Sequence, residues 1–257
     1  MHWENYVSAW VSGGFEKYLL NSLIYTLIVV TGIVIVSSLA AYAFSRLKFP
    51  GRNFLFYMFL AAMMIPLPGS FVALYVLVNK VRSLLFNFLT EASPVLLKFF
   101  PQSFVYSLTE FIKNQFYPRS AYILCMVNVG LSFSIYLLKT FFDRMPKELE
   151  DAARIDGCSR LGIWWNVAFP LARPAIAVVV IFNTLAVWNE YILALIIFDS
   201  RKLMPLQTGL TTFMGEHLTQ YPLLMAGTTI SVLPIILVYL FFQKYIIKGI
   251  TAGALVE

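Results

Sequence analysis

Residues Pro146 to Pro174 read PKELEDAARIDGCSRLGIWWNVAFPLARP. Proline suits the first turn of a helix, and the acids Glu148, Glu150 and Asp151 follow it where the helix dipole favours negative charge. Leu149, Ala152, Ala153 and Asp156 recur at helical spacing and share one face. The two adjacent alanines make a small surface that another protein can approach closely. Gly157 breaks this helix. A second helix then aligns Leu161, Trp164, Trp165 and Ala168 on a face suited to the membrane interface, and Pro170 ends it. The stretch therefore predicts a helix–glycine–helix elbow. Periodicity alone leaves two readings equally open: a solvated amphipathic loop without a partner, and a docking element.

The chain on either side of this elbow is too apolar for a soluble globule. Of its 257 residues, 60% are hydrophobic and 12% charged, and the mean hydropathy is +0.76. Soluble domains run at roughly 45–50% apolar and about 25% charged. A fold of this size cannot hide so much apolar surface from water. Composition excludes a soluble enzyme, a disordered chain and a disulfide-rich secreted domain. Five apolar runs extend over Leu19–Phe44, Phe54–Val78, Tyr122–Phe142, Pro174–Phe198 and Leu223–Ile247. Each exceeds or approaches the roughly 20 residues a helix needs to cross a bilayer. Pro66 and Pro68 interrupt the second run, and Pro234 predicts a kink in the fifth. Residues 79–119 are rich in Phe and Leu but carry Lys80, Arg82, Glu91, Lys98, Glu110 and Lys113, and are cut by Pro94, Pro101 and Pro118. They read as two or three short interfacial helices. The expectation is an all-α, polytopic membrane protein with five spanning helices. Residues 1–18 form an N-terminal segment without the pattern of a signal peptide, and 19–257 form one transmembrane domain that includes 79–119 and the elbow loop 143–173.

Basic residues orient this chain. Arg46, Lys48 and Arg52, then Arg144, Lys147, Arg154, Arg160 and Arg173, then Lys244 and Lys248 all fall on one side of five spans. That side is expected to be cytoplasmic, with the N-terminus outside and the C-terminus inside. The same bias accounts for the net charge of +6. No basic stretch interleaved with aromatics suggests nucleic acid as a partner. Cys125 and Cys158 lack the spacing of a metal site or redox pair. No GxxxxGK[ST] loop is present, and His2 and His217 read as solvated, so no hydrolase site is legible. No cofactor is expected on the chain itself. Within the spans, Glu190 is costly and reads either as a pathway or gate residue or as a paired, structural carboxylate. Asn128, Asn183, Asn189 and Thr228, with Thr229 and Ser231, either line a polar path or hydrogen-bond between helices.

The ordered residues of the elbow resemble the EAA loop of permease subunits in binding-protein-dependent ABC importers. That pattern is Glu-Ala-Ala, three residues, Gly, nine residues, then Ile-x-Leu-Pro. Here it stands as Asp151-Ala152-Ala153, Gly157 and Val167-Ala168-Phe169-Pro170, with Asp, Val and Phe as the departures. The stretch is most similar to the sugar-importer branch, the maltose-permease-like subunits. Further likeness lies in YLLNSLI at 18–24, AAYAFSR at 40–46, MIP at 64–66, VWNE at 187–190 and QKYIIKGITAGA at 243–254. The resemblance implies the six-helix permease fold without its first helix, and an insertion within 79–119 on the outer side. It implies coupling to an ATPase through Glu150, Asp151, Ala152, Ala153, Asp156, Gly157 and Pro170. It further implies a second homologous permease, cytoplasmic ATPase subunits, an extracytoplasmic solute-binding protein docking near 199–222, and a sugar-like solute. The setting implied is the bacterial or archaeal cytoplasmic membrane. Other readings are a permease for a solute such as glycerol phosphate, an ion-coupled secondary transporter, and a non-transporting scaffold.

Overall fold

A computed structural model describes residues 3–215 and 219–254, and all regular structure among them is helical apart from one isolated bridge between Met214 and Thr219. His2 and His217 lie outside the described residues. The helices are α1 (Glu4–Ser12), α2 (Phe15–Arg46), α3 (Arg52–Ala62), α4 (Leu67–Leu96), α5 (Gln102–Phe111), α6 (Tyr117–Arg144), α7 (Glu148–Ile155), α8 (Arg160–Ile163), α9 (Phe169–Leu171), α10 (Arg173–Asn189), α11 (Ile192–Ile197), α12 (Leu206–Gly209) and α13 (Tyr221–Ala254). Four stretches are long and apolar enough to cross a membrane: Phe15–Arg46, Gly69–Val95, Gln102–Arg144 and Tyr221–Phe241. The pair Arg160–Leu171 and Arg173–Asn189, bent by 77°, makes a fifth if the two are taken as one broken span.

Four spans, or five with the bent pair, accord with the sequence, but three stretches are placed differently. The run 54–78 is not one helix. It breaks at 63–66, where Pro66 adopts an extended ψ of 126° and cannot continue α3. Residues 79–119 are not short interfacial helices. Residues 79–96 complete the 30-residue α4, a turn follows at 97–101, and α5 runs through a π-helical segment, Ile112–Phe116, into α6. Pro101 precedes α5, whereas Pro94 lies inside α4, two residues before its end, and leaves the Thr90 carbonyl without its intrahelical N–H donor. Pro118 has no N–H for the carbonyls behind it, and the π-helical segment just before it absorbs that loss, with the Tyr117 amide bonding Ile112. Gln102–Arg144 spans 43 residues, about 64 Å of helix against roughly 30 Å of hydrocarbon. Finally, Glu190 is not inside a spanning helix, because α10 ends at Asn189 and α11 starts at Ile192.

The chain divides into two compact units. The first comprises Met1–Tyr25, Ile65–Met126 and Glu190–Thr228. Its core stacks Phe15 on Phe213 at 5.6 Å and groups Tyr25, Tyr122 and Phe198. The polar side of α2 holds the 200–206 turn: Asn21 donates to the carbonyls of Lys202 and Met204, the Tyr25 hydroxyl donates to that of Leu203, and Ser22 accepts the Leu206 amide. These bonds satisfy buried backbone that no regular element satisfies.

The second unit comprises Thr26–Met64, Val127–Asn189 and Thr229–Glu257. Ile33, Ile135, Leu138, Phe142, Ile163 and Val179 are fully buried in its core. Asn183, also buried, donates to Ser134 Oγ at 3.0 Å and to the Val179 carbonyl at 2.8 Å. Gly130 lies against this pair; a Cβ there would meet Asn183 Oδ1 and Ile33 Cδ1. Gly130→Val is therefore expected to lower stability by about 1–3 kcal/mol, read as a lower denaturation midpoint in detergent. An unchanged midpoint would disprove the close packing.

Candidate functional site

The elbow is built in the second unit by local rules and one long-range ion pair. Glu150 and Asp151 donate their amides to the Lys147 carbonyl as α7 starts. At the other end the chain reverses through Gly157 at φ 81°. The Gly157 amide bonds Arg154 at 3.0 Å and the Cys158 amide bonds Ala153 at 2.9 Å. This is the Schellman arrangement, and the left-handed position is why glycine stands there. Ser159 caps α8 by accepting the Gly162 amide at 3.1 Å. A π-helical segment, Trp164–Ala168, links α8 to α9, and Trp165 stacks on Phe169 at 5.5 Å. Pro170 does not end the helix. It sits within α9 directly after the π-helical segment, and the bend comes at Ala172.

α7 turns one carboxylate inward. Glu150 is 3% exposed, and its Oε1 lies 2.6 Å from Arg46 Nε at the last turn of α2. That N–H is not aligned as a hydrogen bond to Oε1, so the contact is an ion pair. Tyr42 donates to Glu150 Oε2 at 3.3 Å, and Arg46 Nη2 donates to the Met145 carbonyl. Tyr42 in turn packs edge-on against Phe142. A buried ion pair lends little net stability, but losing one partner leaves an uncompensated charge. The elbow is thus anchored to α2 by a contact that cannot be partly given up.

The two alanines face opposite ways. Ala153 is buried with Glu150, whereas Ala152 is exposed. Asp151 is exposed and pairs with Arg154 at 3.2 Å, and Asp156 and Gly157 are exposed too. Large apolar side chains are exposed among these charges: Ile155 is 87% exposed, Leu161 68%, Trp165 58% and Leu149 43%. Pro170 is half-buried. Of the residues singled out at the elbow, Glu150 and Ala153 seat it, while Asp151, Ala152, Asp156 and Gly157 are presented outward.

The polar span residues divide between the two units. In the second unit Asn183 is turned into the core on Ser134, while Asn128 and Asn189 are exposed, Asn189 bonding the Leu185 carbonyl. In the first unit Thr228 is exposed and bonds the Leu224 carbonyl. Glu190 accepts the Leu193 and Ala194 amides and the Tyr122 hydroxyl at 3.4 Å. That carboxylate holds the break before α11, satisfying the free amides of its first turn.

Sequence reasoning missed Arg46 and Tyr42 as parts of the elbow. Arg46 was read as one of several interfacial cations. The signal lay in Glu150, an acid that needs a cation if buried, but its partners are over a hundred residues away, Tyr42 at a separation of 108.

With this geometry in hand, the comparisons with known proteins are specific. The family described as "Binding-protein-dependent transport system inner membrane component" matches residues 32–252. An ABC transporter permease protein of Caldicellulosiruptor sp. (strain Rt8B.4) is 36% identical over 95% of this chain and 77% of its own length. The trehalose/maltose transport system permease protein MalG of Thermococcus litoralis is 32% identical over 94% and 76%. A crystal structure of a bacterial ABC transporter involved in the import of the acidic polysaccharide alginate superposes with a TM-score of 0.71 at 21% identity, covering 96% of this chain and 80% of that one.

Proposed function

From the premise that the chain belongs to the family of binding-protein-dependent transport system inner membrane components, we propose that it is the permease subunit of an ATP-driven sugar importer. It forms the translocation pathway with a second permease and receives the work of ATP hydrolysis at its elbow. The carrying observation is the elbow itself. It leaves Leu149, Ile155, Leu161 and Trp165 exposed while the Arg46–Glu150 pair holds Glu150 inward. Such an apolar surface beside a rigid seat marks a protein contact. The basic residues Arg144, Lys147, Arg154, Arg160 and Arg173 support a cytoplasmic elbow, within reach of an ATPase subunit. A displaced elbow then moves α2 through Arg46. A sugar is favoured as solute because MalG, named for trehalose and maltose transport, is among the relatives. An extracytoplasmic binding protein delivers the solute on the opposite side of the membrane.

The double variant Ile155→Asp/Leu161→Asp tests this reading. Both side chains are solvated already, so the chain is expected to fold with an unchanged denaturation midpoint. It is expected to lose the co-purifying ATPase by more than tenfold, about the effect of removing one or two apolar anchors from an interface. Labelled maltose uptake into cells should fall with it, while labelled glycerol phosphate tests the other solute class. Full uptake with the ATPase retained would refute the elbow as the coupling element, and wild-type uptake driven by an ion gradient without ATP would refute the importer.

A further inference from the structure

The first unit contains a cavity of about 490 Å³ lined by Arg82 of α4, by Lys113 and Asn114 of the π-helical segment, by Arg119 at the start of α6, and by Asp199 and Lys202 of the turn before α12. Four cations face one carboxylate. Arg82 pairs with Asp199 at 3.3 Å, which leaves the charge of Lys113, Arg119 and Lys202 in excess. Arg82 and Lys113 also both lie over the ring of Phe86, at 5.6 Å and 5.7 Å from its centroid. Two like charges held at one ring repel, and an anion in the cavity they both line lowers the cost. The π-helical segment supplies the geometry: it widens one turn, and such turns concentrate at functional sites. Apolar side chains of the same helices stand exposed on either side in sequence: Val81, Leu84 and Phe88 on α4, Phe111 and Phe116 beside Lys113. Basic residues beside exposed apolar helix are the chemistry that holds the anionic head of a lipid.

We propose that this cavity is an anion site that takes a phosphate group, borne by a membrane lipid or free in solution. It stands on the cavity geometry and is independent of the importer reading. Arg82 and Arg119 supply planar donors suited to phosphate oxygens, and Lys113 and Lys202 supply mobile point charges. The exposed helix faces would carry the acyl chains if the source is a lipid.

The full chain, stripped of lipid in neutral detergent, tests the site. Binding of phosphatidylglycerol, phosphatidylcholine and inorganic phosphate is measured by native mass spectrometry and by the denaturation midpoint. Lys113→Gln/Lys202→Gln removes two exposed cations, and Lys17→Gln, an exposed lysine outside the cavity, is the control. All three chains should share one midpoint in phosphatidylcholine. Phosphatidylglycerol is expected to bind wild type and the control about tenfold or more tightly than the double variant, with affinity falling as salt rises. Preference for phosphatidylglycerol over inorganic phosphate assigns a lipid source; comparable binding of inorganic phosphate alone assigns a soluble one. Binding that is equal in wild type and the double variant, or equal for phosphatidylglycerol and phosphatidylcholine with no response to phosphate, overturns the site.

Discussion

Glu150→Ala is expected to destabilise the second unit by about 3–5 kcal/mol and to abolish uptake, because it strands the buried Arg46 guanidinium. Arg46 and Glu150 side chains are only 6% and 4% exposed. Arg46→Ala should cost a similar amount for the mirror reason. The pair is separable from its charge: Arg46→Met/Glu150→Leu replaces both groups with apolar ones of similar size, and such swaps are often neutral or stabilising. The double variant should recover the denaturation midpoint. Whether the elbow needs the ion pair, or only the packing, is then read from uptake by that stable protein. Recovery of uptake assigns the pair a seating role, and loss at normal stability assigns the charge a part in the motion. If Glu150→Ala left the midpoint within about 0.5 kcal/mol of wild type, as surface changes do, the buried anchor would be wrong.

Gly157→Pro is the second large effect. The native φ of 81° is closed to proline, whose ring holds φ near −65°. The variant also loses the amide that bonds Arg154, so both features of the α7 stop fail together, at about 3 kcal/mol or more. Space is not at issue, because a Cβ at 157 would touch nothing within 4 Å. Any effect is therefore backbone conformation. Asn tolerates the left-handed region, so Gly157→Asn should retain most activity, with Gly157→Asp weaker and Gly157→Pro inactive. In membrane vesicles the proline variant is expected to keep ATP hydrolysis in the ATPase subunit while losing uptake. Normal uptake by Gly157→Pro would remove the elbow from the coupling path.

The bland reading of Glu190 illustrates how far the chain was legible. Its place within the apolar run 174–198 was visible, but not the break between α10 and α11, where a carboxylate satisfies amides as well as it serves a solute. The structure places Leu193, Ala194 and Tyr122 around it, which makes it a positioning residue for α11. The misreading of 79–119 has the opposite origin. Scattered charges and the prolines Pro94, Pro101 and Pro118 resemble the ends of short helices. Pro101 stands before a helix and Pro118 directly behind a π-helical segment that absorbs its missing N–H, so the helices run on.

By itself the sequence determined that this is a helical membrane protein with an elbow at Pro146–Pro174, because hydropathy, helical period, the acid-rich first turn and the stop at Gly157 all act between near neighbours. Only the tertiary structure decided which side of that elbow is seat and which is surface. α7 has apolar residues on both flanks, so its period permits either orientation. The choice falls to Arg46 and Tyr42, which arrive from α2 and fix Glu150 inward. The basic cavity has the same origin: Arg82, Arg119 and Lys202 are ordinary interfacial cations until the fold closes the chain between them.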